Sequence, residues 1–245
     1  VSKHGWKSSH TIIEIIVKDM PFLVDSLRIA LGRLGLSPHL MLNCPIRIIR
    51  DKNNQITELS ASADKKFKST SVETVFFVEI DRQSEQKVLD EVKEELSSVL
   101  SDISLTVNDW QPMKQRLTEV IAETKKAKLP CSKEDQTESL AFLNWILDNN
   151  FTLMGYRSYD VQVLKGDMSL SANVESSLGL MKNSHGTKER LISRLSESAR
   201  EIALGNNLLI LTNTNSRSRV HRPAHLDYIG IKRFDNKGSV IGEER

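Results

Sequence analysis

The chain has 245 residues, a formal net charge of +2 and 27% charged side chains. That balance is ordinary for a globular protein in water and argues against a nucleic-acid partner or a charged tail. No apolar run approaches the ~18 residues of a membrane span and no signal-peptide pattern opens the chain, so we expect no membrane and a cytoplasmic location. Cys44 and Cys131 lie far apart and outside any ligand motif, as reduced thiols do. The length suits two domains of roughly 100–150 residues each. The chain starts at Val1 and stops at Glu243-Glu244-Arg245 in a strand-like run, so we expect a fragment of a larger polypeptide.

Val1 to Ser9 is polar. Thr11 to Val17 is apolar and β-branched, a strand pattern. Asp19-Met20-Pro21 breaks it. Pro21 marks a helix start, because proline is tolerated only in a first turn, and Asp19 is placed to cap it. Phe22, Leu23, Leu27, Ala30, Leu31 and Leu34 recur at helical spacing, and Gly35 supplies a left-handed stop. A second strand runs from Leu36 to Arg50. Asp51-Lys52-Asn53-Asn54 turns it into a partner over Gln55 to Ser60. A basic loop covers Ala63 to Ser69, and Val72 to Ile80 is the strongest strand signal of this half. Ser84 to Leu100 is an amphipathic helix, and Ile103 to Val107 alternates like a half-wet strand.

Asp109 is placed to cap a helix that has Pro112 in its first turn and the stripe Trp110, Met113, Leu117, Val120, Ile121. Leu129-Pro130-Cys131 links it to a second helix, started by Ser132 and Asp135 and ended at Asn149-Asn150. Beyond it we expect a strand from Phe151 to Val163 and a Gly/Ser-rich loop to Gly186. A helix from Lys188 to Leu204, capped by Thr187 and ended by Gly205, follows. Strands then cover Asn207 to Thr212, Asp227 to Phe234 and Ser239 onward.

These elements predict an α+β protein. Residues 10–109 read as a ferredoxin-like βαββαβ domain with an extra hairpin strand, antiparallel with both helices on one face. A parallel doubly wound sheet fits poorly, because the hairpin joins neighbouring strands directly. Residues 110–149 form a helical connector. Residues 150–245 form a second antiparallel α+β domain, truncated at its C-terminal end.

Two segments have chemistry to offer. The turn Asp19, Met20, Pro21, Phe22, Leu23 aims backbone N–H groups and the positive end of a helix at a point where the carboxylate of a small amino acid would bind. The plainer reading is a cap and a helix starter. The basic run Arg217, Arg219, His221, Arg222, with His225 beside it, would hold an anion or an acidic partner, or meet another part of the same protein or another subunit. His221 and His225 are separated by Pro223, which speaks against a helical metal pair. Val75-Phe76-Phe77-Val78 lacks the glycine and basic residue of an RNA-reading sheet. Gly32-Arg33-Leu34-Gly35 ends a helix instead of opening one, so it is no dinucleotide turn. No nucleophile elbow or metal spacing appears, and no catalytic, cofactor or metal residue is nominated.

The first half resembles an ACT domain, the small regulatory module of amino-acid metabolism, with Asp19-Met20-Pro21-Phe22-Leu23 as its most recognisable part. The whole chain resembles the N-terminal region of the large bacterial NAD-dependent glutamate dehydrogenases. The resemblance rests on Asp19 to Ser26, Asp109 to Met113, Asn150 to Arg157 and His221 to Tyr228. It implies a non-catalytic regulatory or assembly piece of a cytoplasmic homo-oligomer that oxidises L-glutamate with NAD. NAD and the catalytic residues are then expected outside this fragment. It also implies a PAS-like second domain, the rest of the polypeptide and other subunits as partners, and an amino-acid effector. A stand-alone amino-acid sensor and a purely architectural module are the alternatives. One departure stands out: amino-acid-binding ACT domains usually carry Gly after the turn's Pro, and here the residue is Phe22.

Overall fold

The computed structural model describes residues 5–61, 68, 71–164, 167–183 and 189–245. The expected loop Ala63 to Ser69 and the cap Thr187 fall almost wholly outside them. The chain divides into two compact units, Val1–Ile103 with Arg219–Pro223, and Ser104–Ser218 with Ala224–Arg245.

The first unit opens with β1 (Thr11–Lys18), α1 (Leu23–Arg33), β2 (Pro38–Arg50), β3 (Ile56–Ala61) and β4 (Ser71–Ile80). Its four-stranded sheet has the order β1-β4-β2-β3, and every pairing is antiparallel. Alternation along β4 buries Thr74, Phe76, Val78 and Ile80 on one face. The core also takes Leu23, Leu27, Ala30 and Leu31 of α1, and Val92, Leu96, Val99 and Ile103 of α2 (Gln86–Asn108). Each Leu, Ile, Val or Phe among them contributes roughly 1.5–3 kcal/mol on burial. Gly35 has φ +72° and closes α1 as expected.

The opposite face of the sheet mixes charged side chains, such as Glu14 opposite Phe77, with exposed apolar ones. Ile16 is 65% exposed, Leu42 54% and Leu59 65%. The register puts Leu42 beside Phe77 and Ile16 beside Val75 on that face, and the Trp6 ring lies 6.1 Å from that of Phe77.

One expected strand does not form. Ile103–Val107 is the last part of α2, so the observed order is βαβββα and the closing strand of βαββαβ is absent. A five-residue alternation is ambiguous, and no Gly or Pro lies between Leu100 and Asn108 to stop a helix already running. Ile103 and Thr106 continue the buried stripe of Val92, Leu96 and Val99.

The second unit contains α3 (Trp110–Lys126) and α4 (Lys133–Trp145), with a π-helical turn at Ile146–Asn150. Ser132 caps α4 as expected: its Oγ accepts the Asp135 N–H at 3.0 Å and donates to the Asp135 carboxylate. Asn149, at φ 66°, ends the helical run. Next come β5 (Gly155–Tyr156), β6 (Ser158–Leu164), β7 (Asp167–Ala172), β8 (Leu178–Gly179) and β9 (Glu189–Leu191). Helix α5 (Glu197–Leu204) leads into β10 (Leu209–Arg217), β11 (His225–Phe234) and β12 (Val240–Glu244). Six strands form one antiparallel sheet in the order β10-β11-β12-β6-β7-β9, and β5 pairs with β8. Val120 and Ile121 of α3, Leu143 of α4, Ile146, Leu208 and Ile231 make one core cluster.

The expected helix Lys188–Leu204 is confined to its second half. Ser196 intervenes as a cap, its Oγ accepting the Ala199 N–H. Serine favours that role over a helix interior. The expected loop before Gly186 contains β7, whose alternating serines hid the pattern; Ser169 is fully buried within it.

Candidate functional site

The strand-to-helix turn is built by β1 and α1. Asp19 does not cap the helix. Its N–H donates to the Val72 carbonyl at 2.9 Å, and its carboxylate accepts from Thr74 Oγ1 at 2.6 Å. The buried Thr74 hydroxyl thus ties the turn to β4. The cap position is Phe22, at φ 73°, and no side chain caps α1. This is the left-handed conformation that glycine adopts freely. The Gly usual there in the resembling domains therefore has a physical reason, and Phe22 holds the same conformation at a cost of roughly 1–2 kcal/mol.

One of the basic residues, His221, meets this turn within the first unit, and Arg219 beside it pairs with α2. His221, also left-handed at φ 72°, sets its ring 4.9 Å from that of Phe22. Its N–H donates to Ser26 Oγ at 3.0 Å, and Ser26 is fully buried. Val220 beside it is fully buried. Arg219 reaches Glu95 at 3.1 Å and Asp102 at 3.4 Å, and Glu95 also faces Arg33 at 3.7 Å. The two segments singled out separately are therefore one packed contact.

The other two residues are not part of it. Arg217 ends β10 in the second unit, opposite His225. Arg222 is exposed, its N–H bonded to the Val220 carbonyl. Within the turn, Met20 and Phe22 are half-buried, Asp19 and Pro21 exposed and Leu23 buried. Arg219 already faces two carboxylates, so little of its charge is left for an anion.

Sequence reasoning missed the polar interior of the second unit. The Asp109 carboxylate caps nothing on its own helix. It accepts the Gly179 N–H at 2.7 Å and pairs with Lys182 at 2.7 Å. Gly179 sits at φ +57°, and a Cβ there would collide with the Met154 carbonyl. Glu244, almost fully buried, accepts from Tyr156 Oη and is flanked by Arg233 at 3.0 Å and Arg116 at 3.4 Å. Burial, reinforced by the hydrogen bond to Glu244, pushes the Tyr156 phenol up to about 12. Arg157 donates to Ser177 Oγ and to the Met181 carbonyl. Neither charge counts nor periodicity signals such pairs, because their partners lie far apart in the chain. Among the described residues no group of three or more His, Cys, Asp or Glu is arranged to hold a metal ion, and no helix is long and apolar enough to cross a membrane.

Residues 1–96 match the family model of the glutamate dehydrogenase ACT1 domain. The chain is 33% identical over 246 residues to the NAD-specific glutamate dehydrogenase of Halomonas elongata and 33% over 243 residues to that of Pseudomonas aeruginosa; each match covers 99% of this chain. It is 23% identical to the NAD-specific glutamate dehydrogenase of Mycobacterium tuberculosis, over 94% of this chain. The resemblance drawn from the sequence is thus borne out. The chain spans about 15% of the length of the first two relatives and 13% of the third.

Proposed function

We propose that the chain is a non-catalytic regulatory and assembly region of an NAD-dependent glutamate dehydrogenase. In this reading the whole protein converts L-glutamate, NAD and water to 2-oxoglutarate, ammonia and NADH. NAD and the catalytic groups then belong to parts of the polypeptide outside this chain. The first unit acts as an ACT-like, ferredoxin-related module that has given up its closing strand, and the second as a PAS-like module. The assembly is a cytoplasmic homo-oligomer, and the partly apolar sheet face of the first unit offers a surface to the rest of that assembly.

One observation carries the choice of assembly over amino-acid sensing: the Asp19–Leu23 turn is packed by the chain's own His221 and Phe22. The rival reading, an effector site at that turn, has one feature in its favour, the absence of a side-chain cap on α1. NADH formation from glutamate and NAD, followed at 340 nm with the purified chain alone, tests the reading. No turnover is expected, and turnover by the chain by itself overturns it.

A further inference from the structure

The four-stranded sheet of the first unit ends in β1, whose one strand neighbour among the described residues is β4. An edge strand presents a row of unpaired N–H and C=O groups, and proteins blunt such edges with short strands, bulges or proline. The other edges of the two larger sheets are blunted. β9 has three residues, the β10 pairing is broken by a bulge between Asn213 and Arg217, and the β3 pairing shifts at Ile49 and Arg50. β1 carries none of these devices. Its eight residues pair with β4 without a register shift and include no Gly or Pro, and Ile16 among them is 65% exposed.

The backbone of β1 has a defined outward half. Just after the strand, the Asp19 N–H donates to the Val72 carbonyl, in register with the β1–β4 ladder. Hydrogen-bonded pairs alternate along an antiparallel ladder. Odd-numbered residues therefore bond to β4, and Ile12, Glu14, Ile16 and Lys18 hold their N–H and C=O groups out at the free edge. Their side chains share the sheet face that carries Phe77 and Val75. Among the described residues neither Glu14 nor Lys18 has an ion-pair partner, and Glu73, opposite Lys18, is held by Arg50 at 2.9 Å.

We propose that the edge of β1 pairs antiparallel with β1 of a second copy of this chain, about a two-fold axis at Ile16. Outward groups occur at every second residue, so the axis lies at a residue. An axis at Glu14 sets the two glutamates against each other, and an axis at Ile15 or Val17 sets Lys18 against an isoleucine. An axis at Ile16 sets Glu14 of each copy against Lys18 of the other, Ile16 against Ile16 and Ile15 against Val17. Opposite charges and β-branched pairs across strands are favourable and like charges are not, which selects this register. The pairing rests on the assembly reading for its purpose alone; self-association is measured apart from glutamate turnover, so either can fail without the other.

Sedimentation velocity of the purified chain over a concentration series tests it. One added strand pair is a small interface, so a monomer–dimer equilibrium with a dissociation constant between about 1 μM and about 1 mM is expected. Ile16→Pro removes an outward N–H and no bond to β4, a place where an edge strand tolerates proline, and should abolish the dimer. Glu14→Lys and Lys18→Glu each put like charges across both symmetric pairs and should weaken self-association at least about tenfold. Mixed in equal amounts, the two charge variants should form a heterodimer about as tight as the wild-type dimer, because every charge pair across the edge is again of opposite sign. Glu14 and Lys18 are exposed, so the melt of each variant as a monomer should be unchanged. A chain that stays monomeric up to about 1 mM overturns the proposal. So does a dimer untouched by Ile16→Pro, or a mixture of the charge variants that fails to recover the wild-type association. Should Ile16→Pro fail to fold, the mixture decides alone.

Discussion

Phe22 and His221 both hold left-handed backbone, and their rings meet. Such conformations persist where the surroundings over-determine them, and here the Ser26 hydroxyl and the Arg219 ion pairs fix the segment. Ser26→Ala removes the acceptor of the His221 N–H in a fully buried place. It should cost about 1–3 kcal/mol in urea unfolding, the usual price of a buried donor left unpaired; an unchanged midpoint would show the contact to be idle. Tyr156 gives a second residue-level prediction. Burial and the Glu244 hydrogen bond push its phenol up to about 12 in the fold, from ~10 when unfolded. A raised pKa favours the native state below the unfolded value, so the contribution is intact up to about pH 10 and is lost as pH rises toward 12. Phenolate absorbance at 295 nm should show a late-titrating component that Tyr156→Phe removes. The turn was visible in the sequence because Pro21 and the strand before it are local signals. Its closure was not, because His221 lies about 200 positions later and only the fold brings it back.

At the scale of elements, the legible parts were those with strong local punctuation. The β1–α1 unit, the Asp51–Asn54 turn, the Ser132 cap and the final hairpin each carry a breaker or a capping residue where the chain changes state. Elements without punctuation were misread. Helix α2 absorbs Ile103–Val107 because nothing stops it until Asn108, and β7 passed for loop because serine alternates with its apolar residues. Asp109 illustrates a residue whose position was legible and whose role was not. It stands before α3 as a cap would, yet spends its carboxylate on Gly179 and Lys182. Hydrogen bonds to a charged group contribute about 1.5–3 kcal/mol each. Asp109→Ala should therefore lower stability by roughly 2–4 kcal/mol, and Asp109→Asn, which keeps an acceptor for Gly179, by less. Thermal melts of the two variants check the order, and equal loss would assign the effect to charge alone.

For the whole molecule, the fold class follows from composition and pattern, while the functional reading rests on the resemblance and its match to relatives. The exposed sheet face is what an assembly role requires. Ile16→Glu and Leu42→Glu should each change the stability of the isolated chain by no more than about 0.5 kcal/mol, because both sites already face water. The same substitutions in the full-length protein should weaken assembly, read as sedimentation at a lower mass. The closed turn is tested most directly by a thermal-shift titration of the chain with amino acids, 2-oxoglutarate and NAD. A ligand present at 100 times its dissociation constant adds about 2.7 kcal/mol, or about 5–10 °C for a cooperative chain of this size. With the turn occupied by His221 and Phe22, no saturable shift that depends on Asp19 is predicted. A shift of that size with one amino acid, abolished by Asp19→Ala, would contradict a closed turn and make it an open effector site.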